Sequence, residues 1–449
     1  MKNNSKAIIV SMSAHGERIP AAAGRISTGK GTATEILSKS FDIQKNAKLI
    51  EKVNASGHNS TLEHTFFNIA FEDVSVFAEQ FIIEFRLASF TVKSRRYVDF
   101  ADSGYYVPEL DEAVAAEYTA FMDKCYAFYG ELCEAGIPKE DARFVLPYSL
   151  HSNILCSLNA RELLHMIKAM LYGRGASFEE LKALGESLLA QVQSLTPGIY
   201  SAFKTADVKT LSQFNFPHGK AETKADVELL DAPQDASMLV AKSALIWDGY
   251  TANEADEILS SVENKRAVIE AVATSDRPRP LENAVYTFKV NGVSLSTITH
   301  FTRHRMQSIL VPSLTTADRT KYIVPASVKA VDELYGKYIE LFSELAKVYN
   351  SLKAKGVPEE KLVYVLMSGN TLDIVSSMNA RELKLFFRLR TCNRAQWEVR
   401  EFAEKMLMLC RENDPFLFSF YGPSCCTGGC PEGRMSCGKA EEMRKKYGR

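Results

Sequence analysis

The chain contains itself twice. Leu62-Glu63-His64-Thr65-Phe66-Phe67 is echoed 219 positions later by Leu281-Glu282-Asn283-Ala284-Val285-Tyr286. The same offset carries Val74-Ser75-Val76-Phe77 onto Val293-Ser294-Leu295-Ser296, and Glu84-Phe85-Arg86 onto Arg303-His304-Arg305. Gly136-Ile137-Pro138 then matches Gly356-Val357-Pro358 at an offset of 220, and SLNAREL at 157–163 matches SMNAREL at 377–383. A period this long exceeds any solenoid unit, so the repeat is a duplicated domain. The mixed Lys/Glu stretch 205–226 reads as the junction. The expected organisation is copy one at 1–205, a linker at 206–228, copy two at 229–421 and a cysteine-rich tail at 422–449.

Composition excludes several classes. A chain of 449 residues is too long for one ordinary core. Its 46% hydrophobic and 24% charged content is that of a soluble globular protein. A net charge of −1 gives no overall field to gather nucleic acid or an acidic membrane, so any anion site must be local. No apolar run reaches membrane-spanning length. The start, MKNNSKAIIVSMSAHGERIP, reads as a first strand rather than a leader. Nine cysteines, four of them bunched near the end, suit a reducing cytoplasm better than a disulfide framework.

Within copy one, the aromatic run 64–72 reads as a strand and 74–88 carries apolar residues at helical spacing. A loop is expected at 89–103, then a short strand at 105–108 stopped by Pro108. Helices are expected at 115–133, 141–146, 163–171 and 178–195, and in copy two at 334–352 and 381–410. The fold class is mixed α/β (α+β), made twice.

Two basic clusters could hold an anion. Arg303-His304-Arg305 sets three cationic or cationisable groups in succession, which suits several phosphates or a flat electron-rich ring. The alternative is a basic helix end stabilising the negative pole of its dipole. Ser94-Arg95-Arg96 reads equally as a binding loop or a solvated one. Asn159 and Asn379, each before Ala-Arg-Glu, could be helix N-caps. His64 would more often be a core histidine than a ligand. In the tail, Cys425, Cys426, Cys430 and Cys437 among turn-forming glycines suit tetrahedral zinc, or else form a reduced structural tail.

Gly57-His58-Asn59-Ser60-Thr61-Leu62-Glu63-His64 resembles the opening signature of the flavin-dependent thymidylate synthases. Arg303-His304-Arg305 resembles the first half of that family's hallmark, an RHR followed by Asn-Glu-x-Ser-x-Arg. Asn379-Ala380-Arg381, Leu389-Arg390 and Arg394-Ala395-Gln396-Trp397-Glu398 resemble its later helical region. Neither copy keeps the whole pattern, and the losses are complementary. Copy one has Glu84-Phe85-Arg86 in place of RHR but retains Ser94, Arg96 and Tyr97. Copy two retains RHR but runs Leu310-Val311-Pro312-Ser313-Leu314-Thr315 where the loop should be. The family's phosphate-binding arginine matches Arg143 in copy one and Val363 in copy two. Its uracil-facing arginine matches Met170 in copy one and Arg390 in copy two.

The resemblance implies methylation of dUMP to dTMP, with methylenetetrahydrofolate as carbon donor, FAD as cofactor and NADPH as reductant. Ser94, Arg96 and Arg143 would bind the nucleotide, with Arg390, Ser94 and Arg96 nearest the chemistry. Arg303, His304 and Arg305 would hold the flavin, with His64, Asn159, Asn379 and Arg381 as outer contacts. Family sites form between subunits of a homotetramer. Two such chains, a homodimer, would therefore supply four modules and sites composed of both copies, without nucleic-acid or membrane partners. The hallmark Asn-Glu is replaced by Thr91-Val92 and Leu310-Val311. This leaves open an inactive flavin- or nucleotide-binding relative, or the same chemistry on another pyrimidine nucleotide.

Overall fold

The computed structural model describes residues 4–203 and 226–448. These fall into two compact units. The first joins the residues before 204 to Val324–Gly369; the second joins 226–323 to the residues after 369. The mixed α/β character expected from sequence is observed in both. Most of the linker expected at 206–228 lies outside the described residues, and Val227 already opens a strand.

Each unit holds one four-stranded antiparallel sheet. In the first, β1 (Lys6–Met12), β2 (Phe66–Ser75), β3 (Ser89–Val92) and β4 (His151–Asn159) run in the order β1-β2-β4-β3. In the second, β5 (Val227–Asp231), β6 (Val285–Ser294), β7 (Gln307–Leu310) and β8 (Thr371–Asn379) run β5-β6-β8-β7. The duplication extends to irregularities. The β2–β4 register slips between Phe71 and Val74, and β6–β8 slips between Val290 and Val293. At the matching bulge position Asp73 has φ 50° and Gly292 has φ 64°. This left-handed backbone favours glycine and is tolerated by aspartate.

After the bulge each central strand passes into a short, wholly buried helix, Val76–Ile83 or Leu295–Phe301. Ser75 and Ser294 cap them, each hydroxyl oxygen accepting a backbone N–H, from Ala78 at 2.9 Å and Thr297 at 3.1 Å. A buried carboxylate grips each cap: Glu180 takes the Ser75 N–H at 2.8 Å, and Glu398 takes that of Ser294 at 2.8 Å. The segment expected to be one helix at 74–88 is therefore the end of a strand plus eight helical residues.

The first unit also contains an interface between equivalent segments of the two copies. Ser368 N–H donates to Leu146 O at 2.9 Å and Tyr148 N–H donates to Leu366 O at 2.7 Å. This is a reciprocal pair, each bond being the other shifted by one copy. Beside it pack the long helices Glu112–Glu134 and Asp332–Ala354. Their buried stripes match: Tyr118, Phe121, Met122, Cys125 and Tyr129 on one, Tyr338, Leu341, Phe342, Leu345 and Tyr349 on the other. Each fully buried Phe, Leu or Met among them contributes about 1.5–3 kcal/mol of hydrophobic stabilisation. Gly369 is required here, because a Cβ would lie 2.9 Å from Tyr338 Oη and 3.0 Å from Phe144 O.

Other expectations need correction. The loop expected at 89–103 opens with β3, and the strand expected at 105–108 is a single bridge from Tyr105 to Leu150. β4, not expected from sequence, is central to its sheet. The helix expected at 381–410 breaks in two, Ala380–Arg390 and Trp397–Asn413. Thr391 Oγ1 donates back to Phe387 O at 2.6 Å, and the Gln396 side chain caps the next helix by accepting Val399 N–H at 2.9 Å.

Candidate functional site

In copy two, the buried helix Leu295–Phe301 delivers the chain to Arg303-His304-Arg305 in a non-helical turn, so the three side chains diverge. Arg303 and Arg305 are exposed, whereas His304 is 4% exposed. His304 Nδ1 lies 2.9 Å from Glu382 Oε1, and Arg390 Nε donates to His304 Nε2 at 3.0 Å. Arg390 also donates from Nη2 to His300 O at 3.2 Å. Helix Ala380–Arg390 thus places Glu382 at one end and Arg390 at the other, both engaged with one imidazole.

Copy one keeps the frame and loses this arrangement. Phe85 stands where His304 stands and Met170 where Arg390 stands. Glu162, the equivalent of Glu382, instead lies 3.3 Å from His165 Nδ1. Glu84, in place of Arg303, is ion-paired with Arg174, whose guanidinium stacks 4.4 Å from the Phe81 ring. Burial pushes the Glu84 carboxyl above its usual range despite the opposing Arg174. Glu84, Phe85, Glu162 and Arg174 border a cavity of about 1190 Å³ with Arg86, Arg161 and Lys168.

Copy one brings Ser94, Arg96 and Arg143 together instead. Arg96 Nε pairs with the Glu140 carboxylate, and Arg143 Nε donates to the Glu140 carbonyl at 3.1 Å. The Ser94 hydroxyl accepts the Arg96 N–H at 3.3 Å. A second ion pair, Lys139 to Asp99 at 3.0 Å, fastens the same short helix (Lys139–Ala142) to the same loop. Arg143 is only 4% exposed. Between Ser94 and Arg96, Arg95 points inward and makes a two-pronged pair with buried Glu79, at 2.6 and 2.9 Å.

The outer contacts divide. Asn379 and Asn159 are N-caps, their side chains accepting Glu382 N–H and Glu162 N–H at 2.9 Å each. Arg381 pairs with Glu282 at 2.5 Å, as Arg161 does with Glu63. His64 is exposed and ends a 3-10 turn, Asn59–His64, rather than lying on the strand. Sequence reasoning passed over Glu140 and Glu382. Glu140 precedes Arg143 by three positions, which was a usable signal, whereas nothing in the sequence ties Glu382 to a histidine 78 positions away.

The zinc expectation is not supported. Among the described residues, no group of three or more His, Cys, Asp or Glu side chains could hold a metal ion. Cys425 and Cys426 are consecutive on the short helix Ser424–Thr427, which turns their side chains about 100° apart. Cys426 is buried while Cys430 is exposed.

The donor set of copy two fits the cofactor that the resemblance implies. Two exposed guanidinium groups flank the turn, with exposed apolar Met306 and Leu310 following, which suits a diphosphate joined to a flat ring. Copy one, with Glu84 ion-paired and Phe85 in the middle position, does not offer this set.

A known family matches this duplicated frame. The family model described as thymidylate synthase complementing protein matches residues 8–198 and again 228–416. A flavin-dependent thymidylate synthase of Geobacter sulfurreducens is 34% identical over 226 residues, covering 49% of this chain and 97% of the relative. One from Clostridium tetani is 33% identical over 240 residues, covering 49% and 96%. A solved UMP/dUMP methylase, PolB from Streptomyces cacaoi bound with 5-Br dUMP, covers 45% of this chain and 95% of its own, at 24% identity and a TM-score of 0.40. The chain therefore belongs to the thymidylate synthase complementing protein family and carries that family's domain twice.

Proposed function

We propose that the protein is a flavin-dependent thymidylate synthase whose two copies contribute different halves of one kind of site. The reaction transfers a methylene group from methylenetetrahydrofolate to C5 of dUMP and reduces it to methyl, with NADPH as the ultimate reductant. FAD, held at its phosphates by Arg303 and Arg305, would supply the hydride. Arg96 and Arg143 would bind the nucleotide 5′-phosphate, with Ser94 donating its hydroxyl. Arg390 would donate to a pyrimidine carbonyl and stabilise the negative charge that develops there. Cys125, Cys156 and Cys410 are buried, with thiols pushed well above their usual range by desolvation, which argues against any of these three as a thiolate nucleophile attacking C6.

The observation that carries this reading is the sorting of residues. Copy one holds Arg96 and Arg143 against one glutamate, copy two holds Arg390 against His304, and each copy lacks what the other keeps. Two chains would provide four domains, the number in the family's homotetramer, whose sites are built from more than one chain. A second reading, the same chemistry on a different pyrimidine nucleotide, rests on Thr91-Val92 and Leu310-Val311. Thr91, Val92 and Leu310 are strand residues paired with β4 or β8, where the hallmark would place Asn-Glu. Anaerobic addition of dUMP and methylenetetrahydrofolate to the reduced flavoprotein tests the proposal. It predicts flavin reoxidation in step with dTMP; reoxidation only with another pyrimidine nucleotide would favour the second reading, and reduced flavin indifferent to all of them would refute both.

A further inference from the structure

We propose that Glu382 is a positioning residue that sets the orientation of Arg390 through His304. The hydrogen bonds leave one protonation pattern. Arginine is a donor only, so the bond from Arg390 Nε at 3.0 Å requires a lone pair on His304 Nε2. The ring proton then sits on Nδ1 and is donated to Glu382 Oε1 at 2.9 Å. Only the neutral imidazole meets both partners. An imidazolium would turn an N–H toward the guanidinium and lose Arg390. Glu382, as acceptor of the Nδ1 proton, fixes the tautomer that Arg390 needs.

The surroundings hold the ring in place. Phe386 lies edge-on at 4.9 Å, and His300, on the preceding helix, gives its carbonyl to Arg390 Nη2 at 3.2 Å. Among the described contacts, the charged or titratable groups at His304 include Glu382 and Arg390 on helix Ala380–Arg390, with His300 on helix Leu295–Phe301 bonded to Arg390 and Arg303 and Arg305 as chain neighbours. Copy one supplies an internal control. It retains the glutamate as Glu162, but Phe85 and Met170 replace the histidine and arginine together. A lone arginine at Met170 would have faced a phenyl ring in place of the lone pair that His304 Nε2 offers Arg390.

That Arg390 touches the pyrimidine rests on the proposed function; the tautomer does not. The test therefore has two arms, both on the full-length flavoprotein. Imidazole ¹⁵N spectra of wild type, assigned by the His304→Asn variant, should show His304 neutral with its proton on Nδ1, and Glu382→Ala should lose that preference. In steady-state assays with dUMP, Glu382→Ala should lower kcat/KM by about tenfold, the scale of a charged hydrogen bond. Glu382→Gln, which keeps an acceptor but removes the charge that favours imidazolium, should move the acidic limb of the pH profile to lower pH. A purely structural role would not move that limb. A proton on Nε2 in wild type, or Glu382 variants with an unchanged tautomer and pH profile, would overturn the proposal. A wild type inactive toward dUMP would sink the proposed function while the spectra still decide this inference.

Discussion

Lys124 is ion-paired with Glu344, the residue that occupies its own position in the second copy. On a twofold axis between identical domains a residue meets itself, so a symmetric dimer could offer only Lys against Lys or Glu against Glu. Duplication within one chain lets the two positions carry opposite charges. Both are partly exposed, so the pair contributes roughly 0.5–1 kcal/mol. We predict that Lys124→Glu lowers the thermal midpoint, and that adding Glu344→Lys restores it. Non-additive recovery in this double-mutant cycle is the measurement; simple addition of the two losses would show no coupling.

Arg95 and Glu79 should be far more costly to separate. Their side chains are 7% and 1% exposed, and Glu79 also accepts from Ser152 Oγ at 2.5 Å. Removing the guanidinium leaves a carboxylate buried without its counter-charge, a loss of about 3–5 kcal/mol. Arg95→Met should therefore cut unfolding stability by that amount in urea titrations, while Arg96→Met, next in sequence and more exposed, costs about 1 kcal/mol or less.

The Glu140 carboxylate holds Arg96, while Arg143 rests on the main-chain carbonyl of Glu140, which an alanine would keep. Glu140→Ala is expected to raise KM for the nucleotide about tenfold with kcat within a factor of about two, as loss of pre-organised phosphate binding would. Its copy-two equivalent, Glu360→Ala, should leave KM alone, since Val363 stands where the phosphate arginine would be. A lower KM in Glu140→Ala would mean instead that the carboxylate competes with phosphate.

Glu180 gives a pH dependence of stability. Desolvation raises its pKa, outweighing the hydrogen bonds it receives from Ser75, Ser5 and Tyr364. The folded state therefore binds this proton more tightly than the unfolded state does. Between the ordinary carboxylate range and the raised folded value, stability from this group falls as pH rises. Glu180→Gln cannot lose a proton, so its stability relative to wild type should improve with increasing pH from about 4.5 upward. Denaturant midpoints across that range would show the difference; parallel curves would contradict it.

The repeat, the mixed α/β class and the opening strand were legible in the sequence because hydrophobic period and internal identity are local signals. β4 was not: HSNILCSLN becomes a strand through its neighbours on both sides. The helix break at 391–396 hid in Thr391 and Gln396, whose effect depends on which backbone group the side chain reaches. The candidate site divided in the same way. Arg96, Arg143 and Arg390 were reached only by matching the family's pattern residue by residue. The inward turn of Arg95 and the burial of His304 between Glu382 and Arg390 are tertiary facts, and a run such as Ser-Arg-Arg does not say which arginine faces water.

The central claim is that catalysis needs Arg96 of copy one and Arg303 of copy two at the same site. Charge reversal at each, Arg96→Glu and Arg303→Glu, followed by dTMP formation in protein verified as folded, tests it most directly. Complementary halves predict that either single lesion abolishes turnover. If each copy were a complete site of its own, about half the activity would survive each lesion, and that result would contradict the account.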